Sequence, residues 1–240
     1  QEALSLSRRT GGALDPCLYP VTKLWGFTTG TYRVPEPEEI SSALAHTGAE
    51  QLHLDGARAS LSAQAQLDLG ALGKGWAGCL AVEYLAAQSG ITGGILALGG
   101  NVQTYGAKPD GSPWQIGIQD PGGAGTLGLL CLKGTWAVVT SGGYQRYFEA
   151  DGVRYCHILD PSTGMPAQAG LTSVTVVAED GLLADGLSTA LYIMGLEEAA
   201  DFWRENQDFE AVFCTTEGEI YATAGLTSSL TSCSFQEIVP

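Results

Sequence analysis

The segment Asp68-Leu69-Gly70-Ala71-Leu72-Gly73-Lys74-Gly75-Trp76 joins a glycine-rich turn to a predicted helix. From Lys74 to Ser89 the apolar residues recur at helical spacing, and Gly90 predicts the end of the helix. Free N–H groups at a helix start, with a lysine beside them, suit a phosphate group. A tight strand-to-helix turn without a ligand is the alternative. The segment matches neither the P-loop pattern nor the dinucleotide pattern G-x-G-x-x-G.

The segments around this helix predict hairpins interspersed with helices. Further helices are predicted over 36–46, 184–194 and 196–206, and hairpins over 52–61, 147–158 and 210–223. Further strands are predicted over 95–98, 114–118, 136–140 and 171–178. This mixture favours an α+β fold, with mixed or antiparallel sheets packed with helices, over a doubly wound parallel sheet. No repeat or long linker divides the chain, so we expect a single domain over residues 1–240.

The composition argues against several classes of protein. The 240 residues include 11 Lys and Arg against 26 Asp and Glu, which gives a net charge of −15. So acidic a chain could not neutralise a row of phosphates, which argues against DNA, RNA or anionic lipid as the main partner. The six cysteines form no C-x-x-C pair, which argues against a zinc or iron–sulfur site. Most of them lie in apolar stretches, so we expect most to be buried free thiols. No apolar stretch approaches the roughly 18 residues of a membrane-spanning helix.

Two further segments place polar residues at the ends of predicted strands. Leu98-Gly99-Gly100-Asn101 follows a buried strand, where paired glycines allow a flat ligand or a backbone to approach and Asn101 can tie the turn to a neighbour. His157 lies at a strand end beside the Asp160-Pro161 turn, where an imidazole could act as a general base. A purely structural turn and a structural histidine are the alternatives.

The helix predicted from Ala184 carries a carboxylate and a hydroxyl on one face, because Asp185 and Thr189 are four residues apart. These are hard oxygen ligands of the kind that Mg²⁺ prefers when phosphate and water complete its octahedron. The alternative is an acid placed near the helix N-terminus beside a Thr that bonds back to a carbonyl.

Six segments, taken together and in this order, resemble the ApbE family of flavin:protein FMN transferases. They are Ala13-Leu14-Asp15-Pro16-Cys17-Leu18-Tyr19-Pro20-Val21 and the stretches 68–79, 95–101, 140–148, 157–166 and 184–190. Each segment alone would be a weak signal. Six in register across most of the chain argue against a chance match.

The resemblance implies an ApbE-like (T-fold-like) domain that acts on FAD. Members of the family split the diphosphate of FAD with Mg²⁺, join the FMN half to a Thr hydroxyl of a partner protein and release AMP. The expected partners are therefore FAD and an acceptor protein with a D/S-G-A-T-like sequence. Two alternatives stay open: Mg²⁺-dependent hydrolysis of FAD to FMN and AMP, and a flavin-binding module without turnover.

The resemblance also implies roles for individual residues. Asp185 and Thr189 would bind the metal through side-chain oxygens, and Gly73 through its carbonyl. His157 would act as the base for the incoming Thr hydroxyl. The residues expected near FAD are Ala13, Leu14, Asp15, Ala71, Lys74, Trp76, Ile158, Leu159 and Asp160.

The resemblance finally bears on the extent and location of the chain. Family members usually carry some tens of residues ahead of the segment that starts at Ala13, so we expect this chain to be N-terminally truncated relative to the family. Members are commonly lipid-anchored, which implies a place at the extracytoplasmic face of a bacterial membrane through an anchor ahead of Gln1. A cytoplasmic form is also compatible with the sequence.

Overall fold

A computed structural model describes residues 1–240 and separates them into two compact units. The first unit comprises residues 1–70 and 143–168, and the second comprises residues 71–142 and 169–240. The helices are α1 (Glu2–Arg9), α2 (Tyr19–Leu24), α3 (Pro37–Leu44), α4 (Gly73–Ala86), α5 (Gly181–Met194) and α6 (Leu196–Asn206). None of them has the length and apolar composition needed to cross a bilayer.

The fourteen strands are short and most of them pair with a neighbour in an antiparallel sense. They are β1 (Leu52–Asp55), β2 (Arg58–Leu61), β3 (Gly93–Ala97), β4 (Asn101–Gly106), β5 (Trp114–Gln119), β6 (Thr126–Leu132), β7 (Trp136–Gly142), β8 (Tyr147–Ala150), β9 (Val153–Cys156), β10 (Leu171–Ala178), β11 (Glu210–Thr215), β12 (Ile220–Thr223), β13 (Leu230–Thr231) and β14 (Gln236–Ile238). Together with the helices they confirm the predicted α+β class.

The first unit packs α2 against α3 and carries two hairpins, β1–β2 and β8–β9. Its core consists of Val21, Trp25, Phe27, Ile40 and Leu159. The Trp25 indole donates to the Gly164 carbonyl over 2.8 Å, so the core also fixes the turn that follows His157. Burying a large aromatic residue together with a satisfied N–H is a strong local anchor.

The second unit is built on a seven-stranded sheet of order β14-β12-β11-β10-β7-β4-β3. Its pairs are antiparallel except for β12 with β14. Helix α5 packs on β7 and β10, and α4 packs on α5 and β4. A three-stranded sheet of order β13-β6-β5 shares an apolar core with the opposite face, through side chains such as Leu130, Val138 and Val177.

Helix α5 begins earlier than the sequence predicts. Its N-cap is Asp180, whose carboxylate accepts from the N–H groups of Leu182 and Leu183, so the helix starts at Gly181 rather than Ala184. The alternative that placed Asp185 near the helix N-terminus is therefore wrong, because Asp185 lies in the second turn and its side chain is not a cap.

Candidate functional site

The first group of predicted site residues lies where α4 meets α5 in the second unit. Asp185 is only 3% exposed, and its Oδ2 accepts a hydrogen bond of 2.7 Å from the Gly75 N–H. The two helices can approach this closely because Gly75 has no side chain: a Cβ there would lie 2.1 Å from the Gly181 carbonyl oxygen. Gly75 on α4 and Gly181 on α5 thus bring the carboxylate to the start of α4.

The surroundings of Asp185 shift the pKa of its carboxyl group in opposite directions. Burial raises the pKa of its carboxyl group, because the charged form loses water. The Gly75 N–H, the charge and peptide of Lys74 and the Asn101 side chain lower that pKa in part. A carboxylate at this depth is costly to keep charged on its own and is favoured by a nearby cation.

Thr189 lies one turn after Asp185 on the same face of α5, next to hydroxyl groups of the sheet. Ser141, on β7, has its Oγ 3.2 Å from the Thr189 Oγ1 and 2.8 Å from the Ser188 Oγ. Ser188 donates in turn to the Asp185 carbonyl over 2.8 Å. The structure therefore places the Thr189 hydroxyl beside a row of oxygen atoms rather than among apolar side chains.

The start of α4 lies against this carboxylate. The helical hydrogen bonds begin at the Leu72 carbonyl, which accepts from Trp76 over 3.0 Å. The Gly75 N–H belongs to the first turn, where N–H groups have no acceptor within the helix, and it bonds to Asp185. Gly73 is the first residue of the helix, and the Lys74 Nζ lies 3.4 Å from the Gly99 carbonyl of the Gly-Gly turn.

These atoms suit a hard divalent cation. Mg²⁺ is bound through one or two carboxylates, with water and substrate phosphate completing its shell, whereas zinc takes several His and Cys ligands. No cluster of three or more His, Cys, Asp or Glu side chains is present. The Asp185 carboxylate and the Thr189 hydroxyl, on one face of α5, therefore fit Mg²⁺ better than zinc, and the Gly73 carbonyl stays a predicted third ligand.

The second group of predicted site residues belongs to the first unit and contains His157. The His157 Nδ1 lies 3.1 Å from the Arg146 carbonyl, and the His157 peptide N–H donates to the same oxygen over 3.0 Å. A carbonyl can only accept, so Nδ1 carries the proton and Nε2 of the neutral ring has the lone pair. Phe27 meets the ring edge-on with its centroid 6.4 Å away. The imidazole is thus held in the tautomer that a general base needs.

The residues after His157 serve the turn that follows it. Asp160 accepts through Oδ1 from the Ser162 N–H over 2.8 Å and from its hydroxyl over 2.7 Å. Ile158 and Leu159 are buried, and the Ile158 carbonyl accepts from Ala167 over 2.9 Å. Their side chains therefore support the loop. Only their main-chain atoms stay candidates for contact with a flavin, as the resemblance implies.

The segment Ala13 to Asp15 lies beside a cleft in the first unit. Asp15 accepts from the Cys17 N–H through Oδ1 and from the Gly48 N–H through Oδ2, each over 2.8 Å, and burial raises its pKa. Leu14 is buried in the core. The cleft has a volume of about 240 Å³, and its lining includes Ser7, Arg8, Gly12, Asp15, Thr47 and Glu50. Asp15 thus ties two loops together at the wall of this cleft.

The predicted FAD contacts of the second unit differ in exposure. Trp76 is 57% exposed, Lys74 is exposed, and Ala71 is half-buried ahead of the helix.

The sequence interpretation did not identify Gly75, Gln103 or Ser141, which contact the predicted metal ligands or their neighbours. Gln103 could have been recognised, because a polar residue two positions after Asn101 shares its face of a strand.

The comparisons with known proteins identify the family of this chain. A sequence model described as the ApbE family matches residues 1–213. Curated relatives named FAD:protein FMN transferase occur in Treponema pallidum, with 36% identity over 94% of this chain and 67% of that protein, and in Vibrio cholerae, with 38% identity over 86% of this chain and 63% of that protein. The chain thus spans about two thirds of the length of these relatives.

Solved structures show the same fold at similar identity. The ApbE protein of Thermotoga maritima superimposes with a TM-score of 0.89 at 37% identity, covering 96% of this chain and 76% of that one. The flavin transferase ApbE of Vibrio cholerae gives a TM-score of 0.83 at 34% identity, covering 95% of this chain and 74% of that one. The predicted family and enzyme class are thereby confirmed, and the chain belongs to the ApbE family.

Proposed function

We propose that this chain transfers FMN from FAD to a Thr hydroxyl of an acceptor protein, with Mg²⁺ and with release of AMP. The observation that carries the proposal is the buried Asp185 carboxylate, held by the Gly75 N–H one turn from the Thr189 hydroxyl. The relatives named FAD:protein FMN transferase support the choice of substrate.

Asp185, Thr189 and the Gly73 carbonyl would hold Mg²⁺ at the start of α4. Bound there, the ion would neutralise charge on the non-bridging oxygens of the diphosphate. The Lys74 ammonium group and the N-terminal end of α4 would attract phosphate oxygens, because a helix N-terminus and a lysine both favour anions. The chain's net charge of −15 provides no general attraction for FAD, so affinity depends on these local contacts.

His157 would accept the proton of the acceptor hydroxyl. The new bond forms between the Thr oxygen and the phosphorus of the FMN half, the bond from that phosphorus to the bridging oxygen breaks, and AMP leaves. A hydroxyl is a poor nucleophile at neutral pH, and a correctly placed base contributes about 10²–10⁴-fold to the rate. The hydrogen bond from the His157 Nδ1 to the Arg146 carbonyl supports this role, since it leaves Nε2 basic.

The proposal is tested by incubating the chain with FAD, Mg²⁺ and a peptide containing Asp-Gly-Ala-Thr, followed by mass spectrometry of the peptide. The expected result is a gain of one FMN less one water on the Thr, together with AMP, and no product with a chelator present. Free FMN and AMP without an adduct would identify a hydrolase instead. FAD that is bound but stays intact would identify a binding module, and either result would contradict transfer.

A further inference from the structure

The strand β4 carries two amide side chains into the contact between α4 and α5. Asn101 is fully buried and Gln103 is 3% exposed. They are two residues apart in a strand and therefore lie on the same face of the sheet. Two buried amides on a strand next to an edge strand are costly unless their hydrogen bonds are made, so the bonds they make indicate what they do.

Gln103 lies in a space that exists because three neighbours are glycines. A Cβ on Gly78 would lie 2.0 Å from its Nε2, and a Cβ on Gly181 would lie 2.2 Å from the same atom. The Nε2 donates to the Gly75 carbonyl over 3.1 Å and to the Asn101 Oδ1 over 3.4 Å. Gln103 thus holds the carbonyl of Gly75, the residue whose N–H binds Asp185.

The bond from Gln103 also fixes the direction of the Asn101 amide. Because the Asn101 Oδ1 accepts from Gln103, its Nδ2 points the other way. That Nδ2 is buried and has no hydrogen-bond partner. The Asn101 side chain nevertheless lowers the pKa of Asp185, as a nearby donor does. Asn101 is linked to Asp185 through Gln103 and Gly75, and its Nδ2 is the buried donor in this chain of contacts that has no partner.

We propose that Asn101 is a positioning residue for Asp185. Its Nδ2 restrains the carboxylate so that an oxygen is presented to the divalent cation, and it completes its hydrogen bond to that carboxylate when the cation is bound. Gln103 keeps the amide turned towards Asp185. The inference rests on the proposed function, since it concerns the metal ligand proposed above. Groups of this kind, which orient a ligand without touching the metal, typically change metal affinity by about 10–100-fold when removed.

The test measures Mg²⁺ binding by calorimetry without FAD, so that catalysis is not the readout. Asn101→Ala should weaken Mg²⁺ binding by about 10–100-fold. The matched control is Thr104→Val on the same strand, because Thr104 is equally buried but faces the other way and bonds to the Gly134 carbonyl over 2.9 Å. This control should lose stability yet keep Mg²⁺ affinity within about twofold, as expected for a separate site.

A second variant keeps the test decisive if Asn101→Ala does not fold. Gln103→Met keeps the length of the side chain but removes both donors, so the Asn101 amide loses its fixed direction and Mg²⁺ affinity should fall. Where transfer activity can be measured, raising the Mg²⁺ concentration should restore kcat in both variants, because only the affinity for the metal is impaired.

Two outcomes would overturn the inference. One is parent-like Mg²⁺ affinity in Asn101→Ala and Gln103→Met, and the other is an equal loss of affinity in Thr104→Val, which would make the effect one of stability. Failure of the proposed function itself is distinguishable: in that case Asp185→Asn would bind Mg²⁺ as tightly as the parent. Loss of binding in Asp185→Asn but not in Asn101→Ala would overturn the positioning role alone.

Discussion

The Gly75 N–H donates to the Asp185 Oδ2 over 2.7 Å, although the two residues belong to different helices. Gly75 lies in the first turn of α4, where N–H groups have no acceptor within the helix, so the bond satisfies a free helix donor and holds a buried carboxylate. It can form because α4 and α5 meet at glycines, where a Cβ on Gly75 would lie 2.1 Å from the Gly181 carbonyl oxygen. The proposed metal site is therefore a consequence of helix packing as much as of its ligands.

Replacing Gly75 should disrupt this contact, and replacing Gly73 should not. Gly75→Ala places a methyl against the backbone of α5 and should destabilise the chain by about 1–3 kcal/mol, the usual cost of overpacking. Gly73→Ala is the matched control, because a Cβ there meets nothing within 4 Å, and it should be neutral or stabilise by up to about 1 kcal/mol. Urea denaturation of both variants measures the difference. Equal stability of the two would contradict the close approach of the helices.

Neutralising Asp185 should separate stability from metal binding. Asp185→Asn removes a charge that burial disfavours, so without Mg²⁺ its melting temperature should equal or exceed that of the parent. The rise in melting temperature that Mg²⁺ gives the parent should vanish. Transfer should fall on the order of 10²–10³-fold, the scale seen when one preorganised electrostatic group is lost. Thermal unfolding with and without Mg²⁺ measures this, and a persisting Mg²⁺-dependent shift would argue against Asp185 as a ligand.

Replacing His157 should slow transfer without weakening the binding of FAD. His157→Ala should lower the transfer rate by about 10²–10⁴-fold, the contribution of a general base. His53→Ala is the control, because His53 is exposed on β1 and bonds to the Ser62 hydroxyl over 3.0 Å. Single-turnover rates and FAD titrations give the two quantities. Equal loss of rate and affinity in His157→Ala would make His157 a binding residue.

The carboxyl of Asp15 should make the stability of the first unit depend on pH. Burial raises the pKa of Asp15 in the folded chain, whereas an unfolded Asp titrates near about 3.9. The folded state therefore holds this proton more tightly, so the stability that Asp15 contributes is full below the unfolded pKa and is lost as the pH rises through the folded one. The free energy of unfolding of the parent minus that of Asp15→Asn, measured in urea between pH 3 and 7, should fall with rising pH. An increase with pH would contradict the effect of burial.

Elements with local signals could be predicted from the sequence. The strand Leu171–Ala178 and the helix Leu196–Asn206 were predicted with the bounds that the structure shows, because a β-branched run marks the first and Gly195 starts the second. Helix α1 was not predicted, since its buried Leu4 and Leu6 are two residues apart and not at helical spacing. The single-domain assignment stays a prediction.

Strand β4 was missed for a different reason. Asn101, Gln103 and Thr104 are polar but buried. Gln103 and Thr104 bond to Gly75 and Gly134, far away in the chain, so no local pattern marks the strand as interior. At the site, the spacing of Asp185 and Thr189 was sufficient to place them on one helix face. The Gly75 and Asn101 side of the site depends on tertiary packing, which a pattern within one segment does not encode.

A crystal of the chain soaked with FAD and Mn²⁺ in place of Mg²⁺ tests the metal site most directly, through the anomalous signal of the manganese. We expect one strong peak at bonding distance, about 2.0–2.2 Å, from an oxygen of Asp185 and from the Thr189 hydroxyl, next to the phosphates of FAD. A dinucleotide that is fully bound while these two side chains contact no manganese would contradict it.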